Sequence, residues 1–303
     1  MRIADFKPEP ARNPKSAIRN RQLERLYNSV MSTAISTELD AKERLLLEGL
    51  KNLGSAIVAF SGGTDSAYLA WAANRALGER ALSITADSPS IPRSHLQDAL
   101  DFARRFGIRH QVIATREFEN PLYVENSADR CYYCKDELFT QLDEIAVERG
   151  FAAICYGINK DDTGDFRPGH RAARKHRVVS PLLDAGLGKN DIRELSRRAG
   201  LPTWERPASA CLSSRIPYGT AVTPENLRQV EGGEEALRRL GFRQCRVRHH
   251  GEMARIEIAQ DELARALTLE MAAEFTRIFK ALGFRFVTLD LEGYRQGSFN
   301  ILR

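Results

Sequence analysis

The 303-residue chain lacks any apolar run of the about 18 residues needed to cross a bilayer, and its first residues, MRIADFKPEPARNPKS, lack the apolar block of a secretory leader. The cytoplasm is therefore the expected compartment, and no membrane partner is expected. Charge of neither sign dominates, since 45 Lys and Arg stand against 40 Asp and Glu and leave +5. So small an excess suits phosphate-bearing ligands but calls for no nucleic acid, and none is expected as a partner. Cysteine is scarce. Five thiols, Cys131, Cys134, Cys155, Cys211 and Cys245, make an odd set in a chain with no export signal, which argues against a disulfide framework and for reduced thiols or metal ligands. No internal repeat is visible.

What is there is enough hydrophobic content, 43%, for two domains with their own cores. Residues 1–22 carry Pro8, Pro10, Pro14 and scattered basic residues and read as a tail. A helix is expected from Gln22 to about Leu53, weakened near Ser36–Leu39. From Ser55 onward, β-branched or apolar runs at 55–60, 81–86, 109–114, 151–157 and, more weakly, 177–183 alternate with helical stretches near 64–77, 91–106, 135–149 and 189–199. That alternation belongs to an α/β fold, a doubly wound parallel sheet with helices on both faces. After Pro207 the order becomes helix (224–240), strand (243–250), strand (253–259), helix (261–282) and strand (284–291), a smaller α+β domain. The expected boundaries are thus 1–22, 23–206 and 207–303.

SGGTDS, comprising Ser61, Gly62, Gly63, Thr64, Asp65 and Ser66, lies between the first strand and a helix. Two glycines let the backbone present successive N–H groups, and the helix adds its positive end, so phosphate or pyrophosphate is the expected occupant. The loop lacks the GK[ST] ending of a Walker A loop, which disfavours γ-phosphate transfer, and it is not the GxGxxG of a dinucleotide fold. Asp87 closes the second strand, where it could face nucleotide or Mg²⁺ or merely cap a turn. GINKDD follows the fourth strand. There Gly157 permits close approach, and Asp161 and Asp162 could bind Mg²⁺ or form a solvated turn.

PTWERPASACLSSRIPYG, residues 202–219, has no periodic pattern. Its prolines and small residues suit a rigid loop that presents Cys211, with Arg215 near enough to lower the thiol pKa or hold an anion; a buried structural cysteine is the alternative. Arg246 and Arg248 fall on one face of a strand and repel each other unless an anion, or Glu residues, lie between them. Glu257 on the next strand could be their salt-bridge partner or a metal ligand, and Glu234 is a weaker metal candidate. His249 and His250 read as a strand end. Arg130, Lys135 and Lys160 could stabilise charge that builds in the nucleotide domain. Cys131 and Cys134, in RCYYCK, could hold a metal, form a redox pair or pack under Tyr132 and Tyr133. Cys155 and Cys245 lie in strands and read as structural.

SGGTDS after a first strand resembles the PP-loop of the N-type ATP pyrophosphatases, whose adenine nucleotide alpha hydrolase-like fold cleaves ATP between its α and β phosphates. PASACLSSRIPYG, together with SGGTDS, RCYYCK and GINKDD, is similar to the LarE family of sulfur transferases, from about Leu45 to the C-terminus. The resemblance implies ATP and Mg²⁺ as cofactors and a pyridinium dicarboxylate mononucleotide as the small-molecule substrate. Its carboxylates would be adenylylated and converted to thiocarboxylates for the nickel-pincer nucleotide cofactor. Cys211 would be the sulfur-handling catalytic residue, with Arg215 beside it. Ser214, Arg246 and Arg248 would bind the substrate phosphate. Members come in two chemical styles. In one the single cysteine gives up its own sulfur; in the other a CxxC pair joins it to hold a [4Fe-4S] cluster with one iron open. Cys131, Cys134 and Cys211 fit the second style. A homo-oligomer and hand-over to a nickel-inserting enzyme are further expectations. The rival functions are a tRNA thiolase, an amide-forming ligase of the same ATP class and a nucleotide-binding regulator without turnover.

Overall fold

A computed structural model of the protein describes residues 37–163, 168–207 and 209–295. The expected tail at 1–22 lies outside them. Residues 37–52 form a helix, α1, so the stretch 37–39, where weakening was expected, is helical. Of the described residues, 37–45 belong to one compact unit, in which Lys42 pairs with Glu38 one turn back. The described residues from Leu46 onward form a second unit, which holds the described strands and every candidate site residue.

Four strands, β1 (Ala56–Ala59), β2 (Ala81–Asp87), β3 (His110–Ala114) and β4 (Ala153–Tyr156), make a wholly parallel sheet in the order β3-β2-β1-β4. Burial on both faces explains why β1 is an uninterrupted apolar run, AIVA, with no polar alternation. Helices α2 (Thr64–Leu77), α3 (Arg93–Arg105), α5 (Arg130–Arg149) and α8 (Lys189–Arg198), with short α4 (Pro121–Val124), α6 (Pro168–Lys175) and α7 (Pro181–Asp184), connect and cover the strands. Small buried residues on α2, Ala67, Ala70, Ala72 and Ala73, allow it to lie close to the sheet.

The weak run at 177–183 does not become a fifth strand. Val179 makes one parallel bridge to Cys155, and then Pro181, which has no N–H for a ladder, starts α7. Strand order reverses around β1, which puts the loops after β1 and β4 side by side at the carboxyl edge, the usual ligand position in open α/β sheets. A Cβ on Gly157 would stand 3.2 Å from the Ser66 nitrogen, so the absence of a side chain there is what lets these two loops touch.

A smaller three-stranded sheet follows α9 (Pro224–Arg239), in the order β5-β6-β7. Strands β5 (Cys245–His250) and β6 (Met253–Ile258) form an antiparallel hairpin, and β7 (Phe286–Leu289) joins β6 in parallel after a helical crossover. The expected single helix at 261–282 is two: α10 (Leu263–Ala266) ends, and Thr268 caps a new helix, α11 (Leu269–Ala281), by accepting the Met271 N–H. Val230, Leu237, Val247, Ile256, Phe275 and Phe279 form the core here. α9 approaches it through Gly233, where a Cβ would lie 2.6 Å from the Phe279 ring. Gly233→Ala should therefore lower the unfolding free energy by about 1–3 kcal/mol through overpacking. Gly49→Ala, with nothing within 4 Å of the new methyl, should be neutral or stabilise by up to about 1 kcal/mol. Denaturant titration of both variants checks the pair.

Candidate active site

At the phosphate loop, Gly62 takes a left-handed φ of 75°, with its missing side chain facing Ala99, and Gly63 caps α2 without a side-chain bond. The N–H groups of Gly62, Gly63, Thr64 and Asp65 meet no protein acceptor among the described residues. Four consecutive donors without a protein acceptor at the start of a 14-residue helix are an arrangement suited to an anion. The side chains hold its shape. Ser61 N–H donates to Ser66 Oγ at 3.2 Å, Ser66 Oγ donates to the Gly63 carbonyl at 3.1 Å, and Thr64 Oγ1 donates to the Thr203 carbonyl at 2.8 Å.

The acidic candidates are tied into the surrounding turns. Asp65 accepts from Asn159 Nδ2 at 3.0 Å; burial pushes its carboxyl above the ordinary value, and the nearby Asp162 charge adds to the rise. Asn159 and Asp162 cap their own turn reciprocally, Lys189 pairs with Asp162 at 3.3 Å, and Asp161 accepts the Lys189 backbone N–H at 2.7 Å. Asp87 is paired with Arg93 at 2.5 Å. Among the described residues no group of three or more His, Cys, Asp or Glu side chains is gathered as a bound metal ion would require.

Cys211 opens a 3-10 turn, Leu212–Arg215, whose position is set from three sides. Arg215, 1% exposed, forms a two-pronged pair with Glu234 of α9 (2.8 and 3.1 Å) and donates through Nη1 to the carbonyls of Ala210 and Cys211 at 2.7 and 2.8 Å. Its remaining bond reaches Ser214 Oγ at 3.0 Å, and Ser214 Oγ in turn donates to the Cys211 carbonyl. Arg215 thus shapes the cysteine loop, and its guanidinium is occupied by protein acceptors.

From the opposite side, buried Arg130 donates to the Ser213 carbonyl at 2.9 Å and to Asn126 Oδ1. Asn126, itself left-handed at φ 61°, donates to the carbonyls of Pro217 and Thr220. Tyr123 meets Ser213 Oγ at 2.8 Å, and the Leu212 N–H donates to the Ser90 carbonyl. The Ser90 turn is braced by Ser88 and the buried Glu117.

Because Arg130 immediately precedes Cys131, this clamp brings the first turn of α5 to the cysteine loop. Cys131, Cys134 and Cys211 lie close enough to influence one another electrostatically. Burial pushes the Cys134 thiol up to about 12; Cys131, exposed on its outer side, is raised too, by partial desolvation and then by the neighbouring Cys211. Lys135 lies over the Tyr156 ring at 5.0 Å, beside the same thiols.

Arg248 reaches the Ser214 carbonyl at 3.2 Å and pairs with fully buried Glu257 at 2.9 Å; Arg255 takes the other Glu257 oxygen at 3.1 Å. Glu257 is therefore the salt-bridge partner. Arg246 differs. It donates to its neighbour's carbonyl and lies over the Tyr294 ring at 5.1 Å, with no carboxylate paired to it among the described residues. Burial and then the Arg215 charge hold its pKa below the ordinary arginine value. It is the arginine of this set most in need of an anion. An open groove of about 560 Å³ between Arg116, Glu119, Glu137 and Glu144 contains none of these residues.

A pyridinium-3,5-bisthiocarboxylic acid mononucleotide synthase of Lactiplantibacillus plantarum is 36% identical over 263 residues, 86% of this chain and 95% of the relative. The chain belongs to the LarE family. An uncharacterised protein of Synechocystis sp. is 41% identical over 86% of this chain and 98% of its own length. More distantly, a glutamine-hydrolysing GMP synthase component of Methanocella arvoryzae is 27% identical over 54% of each chain, and the NAD synthase family model matches residues 44–130. The NAD synthase match falls on the sheet with the phosphate loop, whereas the LarE-family match, at 86% of the chain, extends across both sheets.

Sequence patterns had singled out the loop, the cysteines and the arginines of this LarE-family chain, but not Tyr123, Asn126 or Asn159. Asn159, three residues before Asp162, carried a readable capping signal. The others act across long sequence separations and carried none.

Burial alone would raise the Glu234 carboxyl, but the Arg215 charge and hydrogen bonds outweigh it and hold it below its ordinary value. The stability this depression contributes is present above the ordinary carboxyl range and is lost as pH falls through the lower folded value. Glu234→Gln should cost about 3–5 kcal/mol near neutral pH, and the gap to the parent should narrow on acidification; unfolding curves across pH 2–7 measure it. With thiols at about 12, 12 and 11, Cys134, Cys155 and Cys245 should resist iodoacetamide at pH 8, where about one in a thousand or fewer is thiolate. Peptide mass spectrometry gives the order of labelling.

Proposed function

We propose that the protein is an ATP-dependent sulfur transferase that converts a carboxylate of a pyridinium dicarboxylate mononucleotide to a thiocarboxylate, towards pyridinium-3,5-bisthiocarboxylic acid mononucleotide. The observation that carries this is the pairing, in one compact unit, of a row of unengaged N–H donors at Gly62–Asp65 with a thiol loop shaped by Arg215. The substrate carboxylate attacks the α-phosphorus of ATP, and pyrophosphate leaves while held by the phosphate loop. The acyl-adenylate is then attacked by sulfur, and AMP departs with the carboxyl oxygen. Residues 23–206 serve the nucleotide half and 207–303 the sulfur half.

Arg246, half-buried and without a paired carboxylate among the described residues, is suited to the substrate phosphate, with Ser214 and Arg248 on the same side of the loop and hairpin. Mg²⁺ would accompany the nucleotide; Asp65, in the loop, and Asp162, close enough to raise its carboxyl, could offer it oxygen. Three mutually interacting thiols, Cys131, Cys134 and Cys211, are the right donor type for an iron–sulfur cluster, although the protein alone does not draw them into a closed set. When bound, a [4Fe-4S] cluster supplies an iron position without a protein ligand, suited to sulfur exchange. The chain's own part is to keep Cys211 in register with the CxxC turn through Arg130 and Asn126.

Anaerobic incubation with ATP, Mg²⁺ and the pyridinium nucleotide should yield AMP, pyrophosphate and thiocarboxylate. Cys211→Ala should release pyrophosphate yet form no thiocarboxylate, and thiocarboxylate from that variant would overturn the proposal. Reconstituted protein should contain iron and sulfide and absorb visible light. Absence of that absorbance, together with loss of H₂S from Cys211 after turnover, would replace the cluster by sacrifice of the cysteine's own sulfur.

A further inference from the structure

We infer that Tyr294 is a positioning residue, whose ring holds the Arg246 guanidinium in place so that its unengaged donors are presented to the substrate phosphate. Arg246 gives Nη1 to the Cys245 carbonyl at 2.8 Å, and its other N–H groups meet no acceptor among the described residues. The Tyr294 ring lies 5.1 Å from the centre of that guanidinium. Arginines 215, 248 and 255, around the same loop and hairpin, are held by the carboxylates of Glu234 and Glu257, which occupy their donors and offset their charge. An aromatic face restrains a guanidinium by attraction to its charge and takes no N–H from it. Arg246 is therefore fixed while both its charge and its donors stay available for an anion.

The backbone is built to bring Tyr294 there. Strand β7 lies on the side of β6 away from β5, so the chain after Leu289 has to cross the end of β6 to reach Arg246. The Asp290 N–H donates to the Ile256 carbonyl at 2.8 Å, and the Glu292 N–H donates to Asp290 Oδ1 at 2.9 Å, which starts the turn. Gly293 then takes a left-handed φ of 71°, and a Cβ there would stand 2.6 Å from the Ile258 carbonyl oxygen. Only a residue without a side chain lets the backbone pass so close. The next N–H, that of Tyr294, donates to the same Ile258 carbonyl at 2.8 Å. Ile258 is the register partner of Cys245, the neighbour of Arg246, so this bond sets the ring beside the guanidinium. Restraint of the cation before the ligand arrives lowers the ordering cost of binding. The inference rests on the proposed function, since it takes the ligand of Arg246 to be the substrate phosphate.

The test is calorimetric binding, to the full chain, of the pyridinium dicarboxylate mononucleotide and of the same compound without its phosphate. The parent should bind the phosphorylated compound more tightly. Tyr294→Leu should weaken that binding about threefold to tenfold and leave the phosphate-free compound unaffected, whereas Tyr294→Phe, which keeps the ring, should match the parent. With Arg246→Ala already in place, Tyr294→Leu should change binding by less than about twofold; a full loss there would make Tyr294 independent of Arg246 and overturn the inference. If the parent favours the phosphate but Tyr294→Leu binds the nucleotide as tightly, or weakens both compounds alike, the positioning role is wrong and the proposed function stands. If Tyr294→Phe loses as much as Tyr294→Leu, the hydroxyl acts and the ring does not, and the inference is again wrong. If the parent binds both compounds equally, Arg246 takes no phosphate and the inference falls; if it binds neither, the proposed function falls as well. Should Tyr294→Leu fail to fold, Tyr294→Met is read in the same way.

Discussion

A single buried guanidinium, that of Arg215, is the constraint on which the cysteine loop depends. An arginine with almost no solvent contact must direct its donors to protein acceptors, and here they go to both oxygens of Glu234, two backbone carbonyls and one hydroxyl. The carbonyls are those of Ala210 and Cys211, so the ion pair is also a template. Satisfying the charge and shaping the loop are one event. Arg248 and Arg255 share Glu257 in the adjacent hairpin, a second buried pairing that leaves Arg246 as the cation with spare capacity.

The phosphate loop depends on a different device, the removal of side chains. Gly62 reaches a left-handed backbone angle, and Gly157 lets the loop after β4 lie against the first turn of α2. Asp65 and Asn159 meet across that contact. The two halves of the site therefore use opposite means. One is built by close backbone approach at a strand-order reversal, the other by charged side chains drawn into an interior.

Much of this was legible in the residues. The fully apolar AIVA run marked a strand buried on both faces, SGGTDS after it marked the cradle, and RCYYCK and PASACLSSRIPYG marked the thiols. What was not legible depends on long-range partners. The run at 177–183 opens on Arg177, and its β-branched pair, Val178 and Val179, yields to the Pro181 helix after one bridge. The 261–282 helix hid its break because Thr268 caps as readily as it sits mid-helix. Arg215 was assigned to thiol or anion, because nothing in a sequence shows that Glu234, 19 residues later, will claim it. Asn126 looks like any polar turn residue until its carbonyl contacts at Pro217 and Thr220 are seen.

The lodging of the Cys211 turn has a consequence for the nascent chain. Its contacts come from Ser90, Tyr123, Arg130, Glu234 and Arg248, segments that leave the ribosome at widely separated times. The parallel sheet with its glycine-rich loop can be complete while α9 and the β5–β6 hairpin are still unmade. Biosynthesis thus permits an order of maturation, in which the glycine-rich loop at the sheet edge can form before the Cys211 turn acquires its shape.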